Sequence, residues 1–124
     1  ICDIDLNRLL EFHKQNKKIA TILNQMKDKL ELIRGNCDTR EFEEMLEFQI
    51  SSLEKLYING KFVTITHGHY YNAYNLPGNC GEIFIQGHTH IPMLQKLNGK
   101  IIANPGSVTR PRGCDLRCYI IINT

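Results

Sequence analysis

Two Asn-Gly dipeptides constrain the fold of this chain more than any other feature. Asn59-Gly60 lies between KLYI and KFVTIT, and Asn98-Gly99 lies between MLQKL and KIIAN. A two-residue type I′ turn needs positive φ at both central positions, which Asn and Gly tolerate. β-rich runs on both sides complete the signal of a hairpin. The sequence therefore predicts two antiparallel hairpins in its second half.

The beginning of the chain follows helical periodicity instead. Apolar residues recur three or four positions apart up to residue 30, with lysines among the polar positions between them, which predicts a helix. Its apolar positions are Ile19, Ile22, Leu23, Met26 and Leu30. An earlier apolar set at Leu6, Leu9 and Leu10 predicts a separate short helix.

Three further apolar runs are typical of strands. LELIR (30–34), EIFIQ (82–86) and CYIIIN (118–123) are short and bounded by turn residues, and LELIR is predicted to be a buried strand. Asp38 with Glu41 three residues later resembles a capping box, so a short helix is predicted to begin there. A helix followed mainly by strands, within 124 residues, predicts a single α/β or α+β layered domain over residues 1–124.

Composition indicates which partners and which cellular compartment to expect for this protein. A net charge of +2 is too small to indicate nucleic acid or an anionic membrane as a partner. The five cysteines form an odd set without a Cys-x-x-Cys pair, which favours free thiols in a reducing cytoplasm. No stretch approaches the ~20 apolar residues of a membrane span. Charged residues interrupt the first residues, which therefore do not resemble a signal peptide.

Glycine and polar side chains follow four of the predicted strands. LELIR runs into Gly-Asn-Cys-Asp, FVTIT into His-Gly-His, EIFIQ into Gly-His-Thr-His, and KIIAN into Asn-Pro-Gly-Ser. Strands that run side by side bring such loops to one edge of a sheet, where open α/β sheets bind ligands. Each loop alone is equally typical of an ordinary turn. Together they indicate a metal site, and imidazole with oxygen ligands suits zinc, manganese or iron.

The order of these loops along the chain resembles the order of motifs in a known family. IRGNCD, TITHGH, QGHTH and NPGSVTRPRG, with NLP between the second and third, resemble the small bacterial phosphodiesterases of the calcineurin-like metallophosphoesterase superfamily. The resemblance runs from about Asn16 to the C-terminus. It implies a sandwich of two mixed β-sheets flanked by helices, a two-metal centre at the strand ends, and hydrolysis of small phosphodiesters. Manganese is the expected ion, with zinc, iron, nickel and magnesium as alternatives.

The resemblance also implies roles for individual residues. Asn36, His67 and His88 would bind one metal ion, and His90 would bind the other. His69 corresponds to no ligand and is expected beside the substrate. Cys37 stands where many superfamily members carry a histidine that protonates the leaving group. A thiol is a poor acid for an alkoxide, so good leaving groups are expected to react best, and a half-buried thiol without a catalytic role is the alternative.

The opening of the family pattern is missing from this sequence. The family begins with an Asp-x-His strand end and a Gly-Asp motif whose aspartate bridges the two metals. No Asp-x-His occurs here, and ICDIDLN offers only Asp3, preceded by Cys2, near the bridging position. We therefore expect an N-terminally truncated form that lacks most ligands of the second ion. An unpaired strand edge would then favour homo-oligomers or poor solubility.

Two other functions stay open at this point. A subunit of the retromer complex has the same fold and serves as a protein-binding scaffold, which a chain lacking half its metal ligands could also do. The presence of Asn36, His67, His88 and His90 argues for the enzyme, because a scaffold has no chemical need of them. A mononuclear zinc site built by the three histidines of this set is the third hypothesis.

Overall fold

The computed structural model describes residues 6–123, which form two compact units. The first holds the residues up to 32 and residues 37–50, and the second holds residues 33–36 and the chain from residue 51 onward. Asp3, considered above for the bridging position, lies outside the described residues. That residues 1–124 act as a single domain stays a prediction.

The first unit is helical. Helix α1 spans Leu6–Gln25, a 3-10 turn spans Lys27–Lys29, and helix α2 spans Arg40–Glu44. The prediction of two separate helices before residue 30 is wrong: α1 is continuous, because residues 11–18 contain no glycine or proline to interrupt it. Neither helix of the described part is long and apolar enough to cross a membrane.

Side-chain contacts tie the end of α1 to the segment after α2. The Asn24 amide donates to the carbonyl of Met45 at 3.0 Å and accepts from the backbone N–H of Glu47 at 2.8 Å. The Glu47 carboxylate also accepts from Lys27 at 3.0 Å, and this hydrogen bond raises the pKa of Lys27. Polar contacts therefore link the two helical segments of this unit.

The start of α2 differs from the predicted capping box by one residue. Thr39, and not Asp38, is the N-cap, and its hydroxyl accepts from the backbone N–H of Phe42 at 3.3 Å. A hydroxyl at this position satisfies one of the free N–H groups of the first turn, as a carboxylate would.

The second unit is a mixed five-stranded sheet. Its strands are β1 Leu53–Ile58, β2 Lys61–Thr66, β3 Ile83–Ile85, β4 Met93–Leu97 and β5 Lys100–Asn104, in the order β1-β2-β3-β5-β4. The central strands β2, β3 and β5 are parallel, and both outer strands are antiparallel to their neighbours. The predicted hairpins β1–β2 and β4–β5 and the EIFIQ strand are therefore confirmed.

Turn geometry explains both hairpins. Asn59 and Gly60 have φ values of 48° and 81°, and Asn98 and Gly99 have φ values of 52° and 78°. These are the positive values that a type I′ turn requires and that suit the right-handed twist of the flanking strands.

Two of the predicted strands are not strands. LELIR contributes a single parallel bridge between Ile33 and Ser51, and residues 117–123 adopt no regular structure. An apolar run becomes a strand only where a partner strand offers hydrogen bonds, and sequence periodicity does not show whether that partner is present.

The two faces of the sheet are covered differently. On one face Phe84 pairs in register with Ile102, both are fully buried, and the loop residues Tyr71 and Leu76 pack against this cluster. Such burial stabilises the fold by about 1.5–3 kcal/mol per large side chain. The opposite face carries an apolar groove of about 550 Å³, lined by Ile83, Ile85, Ile101 and the segment from residue 118 to residue 122.

Candidate metal centre

The parallel strands deliver their following residues to one edge of the sheet. β2 ends at Thr66 and is followed by His67, β3 is followed by the loop containing His88, and β5 ends at Asn104. The backbone N–H of Gly87 donates to the carbonyl of His67 at 2.8 Å, which ties the first two loops together. The expectation that these loops meet at the carboxyl ends of the strands is confirmed.

Asn36 reaches the same edge by a different route. β1 runs antiparallel to β2, so the start of β1 lies beside the end of β2, where Leu53 pairs with Thr66. The bridge from Ile33 to Ser51, with the Arg34 N–H donating to the Ser51 carbonyl at 2.8 Å, aligns residues 33–36 with that start. One bridge is therefore enough to bring Asn36 to the end of β2.

Three donor atoms converge there. The Asn36 amide oxygen lies 2.9 Å from Nε2 of His67, and Nδ1 of His88 lies 3.2 Å from the same Nε2. The rings of His67 and His88 meet edge to face with centroids 5.1 Å apart. Nε2 of His67 therefore has both an amide oxygen and an imidazole nitrogen as close neighbours.

Backbone strain accompanies both histidines of the GHTH loop. His88 has φ of 65° and His90 has φ of 61°. Non-glycine residues adopt such values at a cost of about 1–3 kcal/mol, and they concentrate at functional sites. The GHTH loop is therefore not extended at either histidine.

Gly68 permits the close approach of the two histidine loops. It is buried, with φ of 109°, and a Cβ there would lie 3.2 Å from the Gly87 carbonyl oxygen and 3.3 Å from Cβ of His88. Any larger residue would push the loops apart and also meet an unfavourable backbone conformation.

His90 is oriented by a different contact. Its Nδ1 lies 2.9 Å from the carbonyl oxygen of Arg110, which only accepts hydrogen bonds, so Nδ1 carries the proton and donates it. The Nε2 lone pair is then available to a ligand, and this is the arrangement found behind most metal-binding histidines. The Arg112 N–H donates to the His90 carbonyl at 3.0 Å and holds the same two loops together.

Two buried amides support the site: Asn104, which the sequence indicated only as part of the Asn-Pro-Gly-Ser loop, and Gln86, which sequence reasoning missed. Asn104, 2% exposed, donates from its amide nitrogen to the Gly87 carbonyl at 2.8 Å and to the Thr89 hydroxyl at 3.0 Å, and its amide oxygen accepts from Gly106 N–H. Gln86 is also buried and accepts from the N–H of Ala73 at 2.7 Å. The signal in the sequence for both supporting residues was a polar side chain at the end of an apolar run.

Two further residues were expected at the site, His69 and Cys37. His69 is exposed, with its ring centroid 5.3 Å from that of His67 and 6.3 Å from that of His88. Cys37 is exposed and belongs to the helical unit, where it borders a pocket of about 180 Å³ together with Asn16. Catalysis by Cys37 stays a prediction.

Comparison with known proteins decides the family. The model of the calcineurin-like phosphoesterase superfamily domain matches residues 10–124. The chain belongs to this superfamily. It is 34% identical to phosphodiesterase YfcE of Escherichia coli K12 over 104 residues, which are 82% of this chain and 56% of YfcE. The chain thus spans about half the length of the curated relatives that it matches.

Solved structures agree with this membership in the calcineurin-like phosphoesterase superfamily. The chain is similar to an E. coli YfcE structure, described as a phosphoesterase, with a TM-score of 0.72 and 31% identity over 78% of this chain and 54% of that one. Vacuolar protein sorting 29 of Cryptosporidium parvum shares the fold, with a TM-score of 0.55 and 19% identity over 75% of this chain and 53% of that one. The predicted metallophosphoesterase fold is confirmed, and residues 6–123 contain one of its mixed sheets.

The superfamily implies divalent metal ions, and the donor cluster fits one. Ligand atoms about 2.0–2.2 Å from an ion and about 90–110° apart lie about 2.9–3.6 Å from one another. The separations of 2.9 and 3.2 Å in the Asn36, His67 and His88 cluster fall within this range.

The donor cluster has fewer ligands than the two-metal centre that the resemblance to the superfamily implies. Among residues 6–123, no three His, Cys, Asp or Glu side chains come together as metal ligands, so the His67, His88 and His90 zinc site is not found in this part of the chain. The donors that do converge are one amide oxygen and two imidazole nitrogens.

Proposed function

We propose that this chain carries the Asn/His/His portion of the metal centre of a metal-dependent phosphodiesterase. Membership in the superfamily and 34% identity to YfcE support hydrolysis of phosphate esters. The observation that carries the proposal is the convergence of the Asn36, His67 and His88 donor atoms within 2.9 and 3.2 Å at the strand ends. Manganese is the proposed ion, and a single ion bound to this set is the simplest form of the site.

The residues of the site favour an anionic substrate. One amide oxygen and neutral imidazoles bind a cation without cancelling its charge, so the site attracts a phosphate group. A divalent ion, when bound, would supply a Lewis acid for the phosphoryl oxygens and lower the pKa of a coordinated water. His90, with its proton fixed on Nδ1 by the Arg110 carbonyl, presents its Nε2 lone pair to a ligand. His69 is our proposed neighbour of the substrate, since it is exposed with its ring centroid 5.3 Å from that of His67.

Metal binding gives the first test. We expect His88→Ala to weaken manganese binding by at least tenfold, because it removes one of three converging donors. His13→Ala is the matched control, since His13 is an exposed histidine of α1 in the other unit and should leave the affinity unchanged. Isothermal titration calorimetry after chelator treatment provides the measurement. Equal affinities for His88→Ala and the unaltered chain would contradict the assigned site.

Hydrolysis gives the second test. We expect manganese to stimulate cleavage of bis(p-nitrophenyl) phosphate, whose good leaving group needs little acid assistance, and His88→Ala to abolish the stimulation.

The alternative is a protein-binding scaffold of the same fold, and the fold match to vacuolar protein sorting 29 favours it over unrelated classes. Manganese binding without any hydrolysis would support the scaffold.

The protein as its source makes it should be tested as well. We propose that residues with the Asp-x-His and Gly-Asp motifs precede Ile1 in it and complete the two-metal centre. Its intact mass, compared with the 14.3 kDa of this chain, decides the question. A mass several kilodaltons larger is expected, and a mass equal to that of this chain would contradict the truncation hypothesis. The free thiols agree with a reducing cytoplasm as its location.

A further inference from the structure

The loop that follows β5 brings the thiols of two cysteines to the same carbonyl oxygen. Sγ of Cys114 lies 3.6 Å from the carbonyl oxygen of Leu116, and Sγ of Cys118 lies 3.3 Å from the same oxygen. The distance between the two sulfurs therefore cannot exceed the sum of these two sulfur–oxygen distances. Both residues are half-buried and belong to the same compact unit. The two thiols thus share one small, partly dry environment.

The electrostatics of this pair agree with direct contact. Burial raises the pKa of the Cys118 thiol, and the neighbouring Cys114 sulfur raises it further by charge repulsion and a hydrogen bond. Cys118 therefore keeps its proton to a higher pH than an ordinary thiol, which suits the second of two reacting thiols.

Packing holds both ends of this five-residue loop. A Cβ on Gly113 would lie 3.1 Å from the Ile91 side chain, so the loop begins against the segment before β4. At its other end, the backbone N–H of Cys118 donates to the Ser107 carbonyl at 3.4 Å, and Cβ of Cys118 lies 3.5 Å from the Cβ position of Gly106. The closeness of the thiols is therefore a property of the folded unit.

The other described cysteines are placed differently. Cys80 is 2% exposed in the sheet core, where its thiol contacts the Gly81 carbonyl at 3.9 Å. Cys37 is exposed in the helical unit. Within residues 6–123, Cys114 and Cys118 are the pair suited to react with each other.

We propose that Cys114 and Cys118 form a dithiol site that small disulfides, such as oxidised glutathione, convert into an intramolecular disulfide. The Cys114 thiolate attacks one sulfur of the small disulfide, whose S–S bond breaks, giving a mixed disulfide and one small thiolate. That thiolate takes the proton of Cys118, and the Cys118 sulfur then displaces the second small thiolate from Cys114. Two electrons pass from the protein to the small disulfide, which leaves as one thiol and one thiolate, and this thiolate takes up from water the proton that Cys114 lost when it ionised.

A disulfide between Cys114 and Cys118 would lie between two features of the fold, the carbonyl that orients His90 and the apolar groove of the sheet. Arg110, whose carbonyl orients His90, lies four residues before Cys114. Cys118 also begins the segment that lines the apolar groove of the sheet. Oxidation fastens this loop between the two places, and the chemistry of the pair does not depend on the proposed phosphodiesterase activity.

Proteolysis offers a direct readout, because Arg117 lies between the two cysteines. The folded full chain is incubated with oxidised glutathione, quenched in acid, alkylated under denaturing conditions and digested with trypsin. Trypsin cleaves after Arg112 and Arg117, so Cys114 and Cys118 leave on separate peptides. We expect mass spectrometry to find these two peptides as a linked pair that separates on reduction, at a yield well above that of any other cysteine pair.

Variants keep the proposal falsifiable. Cys37→Ser is the matched control and should leave the yield of the linked pair unchanged. Cys118→Ser should accumulate a stable glutathione adduct on Cys114, since the second thiol is gone, with folding verified by circular dichroism. Two glutathione adducts on separate peptides of the folded chain, without the linked pair, would overturn the proposal. So would a linked pair that forms only after denaturation in urea.

Discussion

At the scale of the residue, the candidate metal centre depends on side chains that hold loops as much as on the donors. His88 and His90 both adopt positive φ, a conformation that neither favours. Asn104 holds their loop from a buried position through two hydrogen bonds, to Gly87 and to Thr89. The strain of the loop is therefore offset by a buried amide that is not one of the converging donors.

Asn104 gives the prediction at this scale. We expect Asn104→Ala to lower the free energy of unfolding by about 1–3 kcal/mol, because it leaves the Gly87 carbonyl and the Gly106 N–H without their partner. It should also weaken manganese binding, although no donor is removed. Urea denaturation and calorimetry provide the two measurements. Asn123→Ala, at an exposed asparagine, is the control, and equal stabilities for the two variants would contradict the positioning role.

At the scale of the element, the two Asn-Gly turns set the register of the sheet. Each turn fixes which residues of its two strands face each other, so Leu53 meets Thr66 and Met93 meets Asn104. The first of these pairs brings the start of β1, and with it Asn36, to the end of β2. Turn chemistry far from the site thus decides which side chains reach it.

Gly99 and Gly78 form a matched pair that isolates the turn conformation. A Cβ at either position meets nothing within 4 Å, but Gly99 has φ of 78° while Gly78 is outside the positive range. We expect Gly99→Ala to destabilise the chain by about 1–2 kcal/mol, the cost of a left-handed alanine. Gly78→Ala should stay within ~0.5 kcal/mol of the unaltered chain. Thermal and urea denaturation test this, and equal losses would disprove a type I′ requirement.

At the scale of the whole molecule, one face of the sheet remains rich in exposed apolar groups. Leu94 is 77% exposed and Ile121 is 69% exposed, beside a groove of about 550 Å³. Contiguous apolar surface of this kind marks contact sites or aggregation sites. Strand β4 forms an edge of the sheet next to it, with backbone groups free to pair with another strand.

Self-association is the prediction at this scale. We expect the 124-residue chain to form dimers or larger species in a concentration-dependent manner, and Leu94→Lys to shift it toward the monomer by placing a charge on the apolar face. Tyr74→Lys is the control, because Tyr74 is fully exposed in a loop outside the groove. Sedimentation velocity provides the measurement. A monodisperse monomer at all concentrations would contradict the prediction.

The sequence by itself determined the elements whose signals are local. Asn59-Gly60 and Asn98-Gly99 specify both hairpins, and glycines beside histidines at strand ends indicate where the metal centre lies. The signals that failed depend on distant partners: LELIR forms one bridge and CYIIIN forms none. Only the tertiary structure decided that Asn36 meets His67 and that Asn104 holds the GHTH loop. These contacts depend on strand order and register, which are long-range properties that no local stretch of sequence specifies.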